Sequence, residues 1–160
     1  MAFAVVAFLG FSGCASQRLR RDPLCQEIAA FANATKPGET HVVSLETSWG
    51  PSTKYPDTFR SLDCNSGEYA PGVRLCRYLV ENGAVEFSHN NFLAAFACLS
   101  GIPEQTNRNY VTYERLEVRV SAYGAVGVSD RIELSLEFKP NKVNGTMQLD
   151  IGASALRSEK

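Results

Sequence analysis

The chain has 160 residues, 44% of them apolar and 21% charged, with a formal net charge of −1. That is one domain's length with enough apolar material for a core, which excludes a disordered or coiled-coil chain. The charge lacks the one-sided basic excess of nucleic-acid binders, although Arg18, Arg20 and Arg21 cluster locally. No apolar run reaches the roughly eighteen residues of a membrane-spanning helix.

The first apolar run, "AFAVVAFLGFSG", has the length of a signal-peptide core and closes in small residues before Cys14. Phe11-Ser12-Gly13-Cys14 resembles the lipobox of bacterial lipoproteins. It matches at the two small residues and the cysteine, and departs at Phe11, where the family has an aliphatic. The resemblance implies that Cys14 receives a diacylglycerol and becomes the mature N-terminus. Ala15 rather than Asp at the next position implies the periplasmic face of the outer membrane. On this reading residues 1–13 are a signal peptide, 14–22 a lipidated tether and 23–160 a single domain, and the lipid on Cys14 is the only added group.

Setting Cys14 aside leaves Cys25, Cys64, Cys76 and Cys98, an even set suited to two disulfides in an oxidising compartment. Zinc is the weaker alternative, since there is no C-x-x-C pair and only His41 and His89 to assist. Three connectivities remain open. Cys64, in the turn-rich "SLDCNSGEYAPG", is expected to join Cys76 or Cys98, and a Cys76 to Cys98 bridge between two helices is the other arrangement.

Asp22-Pro23 followed by "LCQEIAAFANAT" predicts a capped helix with Leu24, Ile28 and Phe31 on one face, stopped by Lys36-Pro37-Gly38. "THVVSLETSW" predicts a strand with Val43, Leu45 and Thr47 on one side. "GPSTKYPDTFRSLDCNSGEYAPG" then reads as one long loop. Pro71-Gly72 opens a second helix, "VRLCRYLVENG", with Val73, Cys76 and Val80 on one face, Leu75 and Leu79 beside them, and Asn82-Gly83 as the C-cap. In the third helix Ser88 is the expected N-cap, Phe92, Ala95, Phe96 and Leu99 the buried stripe, and Gly101 the stop.

The last third alternates with period two. Leu116, Val118, Val120 and Ala122, then Ile132, Leu134, Leu136 and Phe138, then Met147, Leu149 and Ile151 form three inward rows, with turns at 124–130 and 141–145. One apolar and one wet face predict an antiparallel meander with about three helices on one side, an α+β fold stapled by disulfides. Glu117, Arg119, Glu133, Glu137 and Lys139 should lie on the wet face, where opposite charges can pair across strands.

No G-x-S-x-G, P-loop, H-E-x-x-H or G-x-G-x-x-G motif is present, so no catalytic residue is assigned. His41, at a strand start, and His89, in a helix's first turn, read as surface residues; a pocket placing either beside a carboxylate would instead favour a hydrolase. Trp49, Tyr55, Phe59 and Arg60 are the residues expected to meet a protein partner, because Trp, Tyr and Arg dominate binding hot spots. The expected function is that of an envelope-anchored binding protein, an inhibitor or immunity factor against a toxin or hydrolase, with a structural accessory of an envelope or secretion complex as the alternative.

Overall fold

The computed structural model describes residues 13–102, 117–141 and 143–157, with side chains from Gln17 onward. The signal segment before Gly13, the side chain of Cys14 and the inward position expected for Leu116 lie outside the described residues.

Helix α1 (Gly13–Arg20) leads directly into α2 (Pro23–Asn33). The stretch expected as a tether, 14–22, is therefore mostly helical, and Leu19 within it joins the core. Asp22 caps α2 as its sequence suggests, accepting from the N–H groups of Leu24 and Cys25 at 2.9 and 3.2 Å, with Pro23 in the first turn where no N–H is needed. Leu24, Ile28 and Phe31 are buried, the last two almost completely.

Strand β1 (Thr40–Trp49) buries Val43, Leu45 and Thr47, as alternation requires. The region read as a long loop contains a second strand, β2 (Arg60–Asn65), which pairs antiparallel with β1. Only Leu62 and Cys64 mark its inner row, and both are only partly covered because β2 is an edge strand. Helix α3 (Ala70–Asn82) is displaced in phase from its expected face. Gly72, Leu75, Cys76 and Leu79 are buried, whereas Val73 and Val80 are 44% and 42% exposed. A close approach sets this rotation: a Cβ on Gly72 would stand 2.8 Å from Ser66 Cβ and 3.3 Å from Val43 Cγ2, so only glycine lets α3 settle on β1 here. Gly83 ends α3 with a negative φ of −72°, donating to Leu79 O without the left-handed turn that usually favours glycine.

Helix α4 (His89–Ser100) buries Phe92, Ala95 and Leu99 and leaves Phe96 partly covered. Ser88 does not cap it: its backbone is already helical and its hydroxyl makes no capping bond. Asn91 does the local stitching, accepting from Ala84 N–H and donating to Ala84 O, both at 2.7 Å. Gly101 closes the helix in the left-handed conformation, φ 71°.

Strands β3 (Val118–Tyr123), β4 (Ile132–Asn141) and β5 (Thr146–Ala155) form the expected meander, and β1 and β2 extend it beyond β5 into a five-stranded antiparallel sheet of order β2-β1-β5-β4-β3. Strand β5 is thus central rather than an edge, and its inner row of Leu149, Ile151, Ala153 and Ala155 is buried. Helices α2, α3 and α4 cover the inner face. The outer face carries the polar rows. There Glu137 lies directly opposite Arg119 across the strands and bonds Lys139 at 3.0 Å, while Lys139 reaches Asp150 at 3.3 Å.

Two disulfides staple the layers. Cys25–Cys98 joins α2 to α4, and Cys64–Cys76 joins β2 to α3. The second is one of the two partnerships expected for Cys64; the Cys76 to Cys98 arrangement does not occur, because α2 lies between those helices' cysteines and supplies Cys25 instead.

Candidate interaction site at one end of the sheet

Trp49 continues the inner row of β1 yet is 48% exposed, so the helical cover stops short of it. It stands opposite Arg60 in the β1–β2 ladder, and Gly50 N–H donates to Phe59 O at 2.6 Å. This closes the hairpin and brings the Trp49 and Phe59 rings edge to face, centroids 5.0 Å apart, with Phe59 63% exposed. Two aromatic side chains in contact, both open to water, form an apolar surface that the described residues leave uncovered. Arg60 is exposed beside them and makes no ion pair among the described residues.

The segment between the two rings is fastened on both sides. Lys54 Nζ bonds Asp63 at 2.6 Å and Glu46 at 2.8 Å, and Tyr55 donates its hydroxyl to Asp63 at 2.8 Å. Thr53 N–H and Thr53 Oγ1 donate to Asn144 O and Val143 O of the β4–β5 hairpin. Glu46 also accepts from Asn141 and Asn144. Of the four residues picked from the sequence, then, Trp49, Phe59 and Arg60 share one surface, and Tyr55 turns onto the sheet as an anchor. Val143 is 89% exposed on the hairpin to which the loop is bonded. The Glu46–Lys54–Asp63 network escaped the sequence reading because it depends on β2: the register that sets Glu46 opposite Asp63 exists only once that strand is recognised.

Charge holds this clamp over a defined range. Hydrogen bonds from Lys54 first, then Tyr55, keep the Asp63 carboxyl below the ordinary carboxylate range. Asp63 and then Glu46 push the Lys54 ammonium up, and burial, followed by the bond to Asp63, raises the Tyr55 phenol. The depressed Asp63 stabilises above its unfolded pKa and loses that contribution as pH falls through its folded value. The raised Lys54 and Tyr55 contribute fully below their unfolded values and lose it as pH rises through the folded ones. The clamp is therefore intact between roughly pH 4 and pH 10. Emission from Trp49, the single tryptophan, is expected to be flat across that window and to change only outside it; a transition near pH 6.5 contradicts the assignment. Since these pairs are solvent-exposed, Lys54→Met should cost no more than about 1 kcal/mol of stability.

His41 stacks flat on Tyr69, centroids 3.6 Å apart, and its Nε2 lies 3.1 Å from Glu39 Oε2; among the described residues the ring bonds no hydroxyl or thiol. His89 opens α4, 6.0 Å from the Phe87 ring. Neither lines the cavities found beside α2, α3 or the outer sheet face. Asp22, Cys25 and Cys98 converge within 4.8 Å, but the two sulfurs are bonded to each other and Asp22 caps α2, which leaves no thiolate for a metal.

No protein-family model, curated protein or solved structure matches the chain.

Proposed function

We propose that the protein is a lipid-anchored binding module of the bacterial cell envelope, acting as an inhibitor or immunity factor through the surface formed by Trp49, Phe59 and Arg60. The observation that carries this reading is the exposed Trp49–Phe59 pair on a loop bonded to the sheet at both flanks. Association costs ordering entropy, and a loop already fixed by Lys54, Tyr55 and Thr53 avoids most of that cost. Trp and Arg are among the side chains enriched at binding hot spots. An accessory subunit of an envelope complex would use the same surface.

The address rests on the lipobox resemblance at Cys14 and is supported by the two disulfides, which suit an oxidising compartment. Only four residues separate Cys14 from the buried Leu19, so an acyl chain would attach close to the folded body. Cys14→Ser should release the protein into the soluble fraction with an unchanged melting temperature, because the first core residue among the described ones is Leu19; a variant that stays with membranes contradicts the anchor.

The interaction surface is tested by placing a photoreactive residue at position 59 in cells. A single protein adduct is expected there, and none from the same probe at position 80 on α3, where the native Val80 is 42% exposed against 63% for Phe59. Equal labelling from both positions overturns the assignment of the surface.

A further inference from the structure

At the opposite end of the molecule's sheet rows, where α2 stops, a cavity of about 650 Å³ opens between the end of α2, the start of β4 and the end of β5. That volume is within the range of small-molecule sites, roughly 300–1,000 Å³. Among the described residues its charged lining is Arg131 and Arg157, with no acidic side chain. Neither guanidinium makes a hydrogen bond or ion pair among the described residues. The negative end of α2 supplies about half a charge against these two full positive ones, so the described lining is net electropositive.

Its polar wall has spare capacity. Ser129 Oγ accepts from Arg131 N–H at 3.3 Å, which leaves its proton without an acceptor among the described residues. Thr35, also on the wall, is buried, and its hydroxyl finds no partner among the described residues. A buried unpaired hydroxyl costs free energy that a ligand acceptor would recover. Pro37, Ile132 and Leu156 make the remaining wall apolar.

The frame is rigid. Asn33 fastens the β3–β4 turn to α2, donating to Gly127 O at 2.8 Å and accepting from Ser129 N–H at 2.9 Å. Leu156 N–H donates to Arg131 O and Gly38 N–H to Ala155 O, each at 3.0 Å. The stem of Arg157 lies across Gly38, its Cγ 3.3 Å from where a Cβ would be, so the glycine leaves room for the arginine at the rim.

We propose that this cavity is a binding site for a small amphipathic molecule with an oxyanion head, the head held by Arg131 and Arg157 and the apolar body against Pro37, Ile132 and Leu156. The planar fork of arginine pairs with carboxylate or phosphate through two parallel bonds, and the apolar wall selects for a hydrocarbon or ring rather than a bare anion. The site is separate from the Trp49–Phe59 surface and does not depend on it.

The full chain is titrated with octanoate, octyl phosphate and octan-1-ol, followed by calorimetry and by amide NMR shifts. Saturable binding of octanoate or octyl phosphate is expected, with shifts concentrated at Thr35, Ser129, Arg131 and Arg157 and octan-1-ol binding at least tenfold more weakly. The preference between the two anions identifies the head. Arg131→Gln/Arg157→Gln should weaken the preferred anion at least tenfold with an unchanged melting temperature, since both side chains are exposed at the rim, whereas Trp49→Ala should leave it unaltered. Octan-1-ol binding as tightly as the anions, affinity unchanged in the double variant, or no saturable shift at the cavity overturns the proposal.

Discussion

Replacing Cys25 and Cys98 together by alanine is expected to lower unfolding free energy by about 4.4 kcal/mol, the largest effect of any disulfide change in this chain. The bridge spans 73 residues, a loop that contains β1, β2 and α3, and its closure removes denatured-state entropy that grows with the logarithm of loop length. Cys64–Cys76 spans only 12 residues, and the same relation gives about 2.8 kcal/mol for its loss. Location widens the difference. Cys25 and Cys98 are almost fully buried between α2 and α4, so their removal also leaves a void, whereas Cys64 sits on the edge strand and is only partly covered. For a chain of this length the first loss corresponds to a melting temperature lower by about 9–18 °C. Against a typical total of about 5–15 kcal/mol, this loss removes roughly a third to nine tenths of the stability. Thermal or denaturant unfolding of the two double variants checks the order; a larger loss from Cys64→Ala/Cys76→Ala contradicts it.

The second large effect concerns association rather than stability. Trp49→Ala/Phe59→Ala is expected to weaken partner binding by about a hundredfold or more, since truncating a central aromatic anchor commonly costs about 2 kcal/mol or more, with incomplete additivity between neighbours. Stability should hardly respond. Both rings are about half or more exposed, and what the fold loses is one edge-to-face contact, worth about 0.5–1.5 kcal/mol. Tyr55→Phe is the informative contrast: it keeps the apolar surface and removes only the bond to Asp63, so it should reduce affinity modestly by loosening the loop. A double variant that binds as wild type would show that the aromatic pair is merely exposed.

Local signals in the sequence account for much of this architecture. The Asp22-Pro23 cap, the inner rows of β1, β4 and β5 and the Gly101 stop each follow from a few adjacent residues, and each appears in the fold. What escaped local reading was set at long range. Strand β2 has only Leu62 and Cys64 to mark its inner side, and it exists as a strand because β1 offers it an edge. The phase of α3 is decided by the contact of Gly72 with Val43 and Ser66, which no helical periodicity contains. The position of β5 between β1 and β4 likewise depends on pairing across more than a hundred residues. At the candidate surface, residue type alone selected Trp49, Phe59 and Arg60, but the division between contact residues and the anchor Tyr55 required the Glu46–Lys54–Asp63 network.

The proposed binding role is tested most directly by comparing wild type with Trp49→Ala/Phe59→Ala as oxidised, soluble baits starting at Ala15 in an envelope extract, with crosslinking and mass spectrometry. One stoichiometric protein partner bound by wild type and lost by the variant is the predicted result, and the partner's identity as toxin, hydrolase or machine subunit separates inhibitor from accessory. A partner retained equally by both, or no protein partner even after crosslinking, contradicts the account.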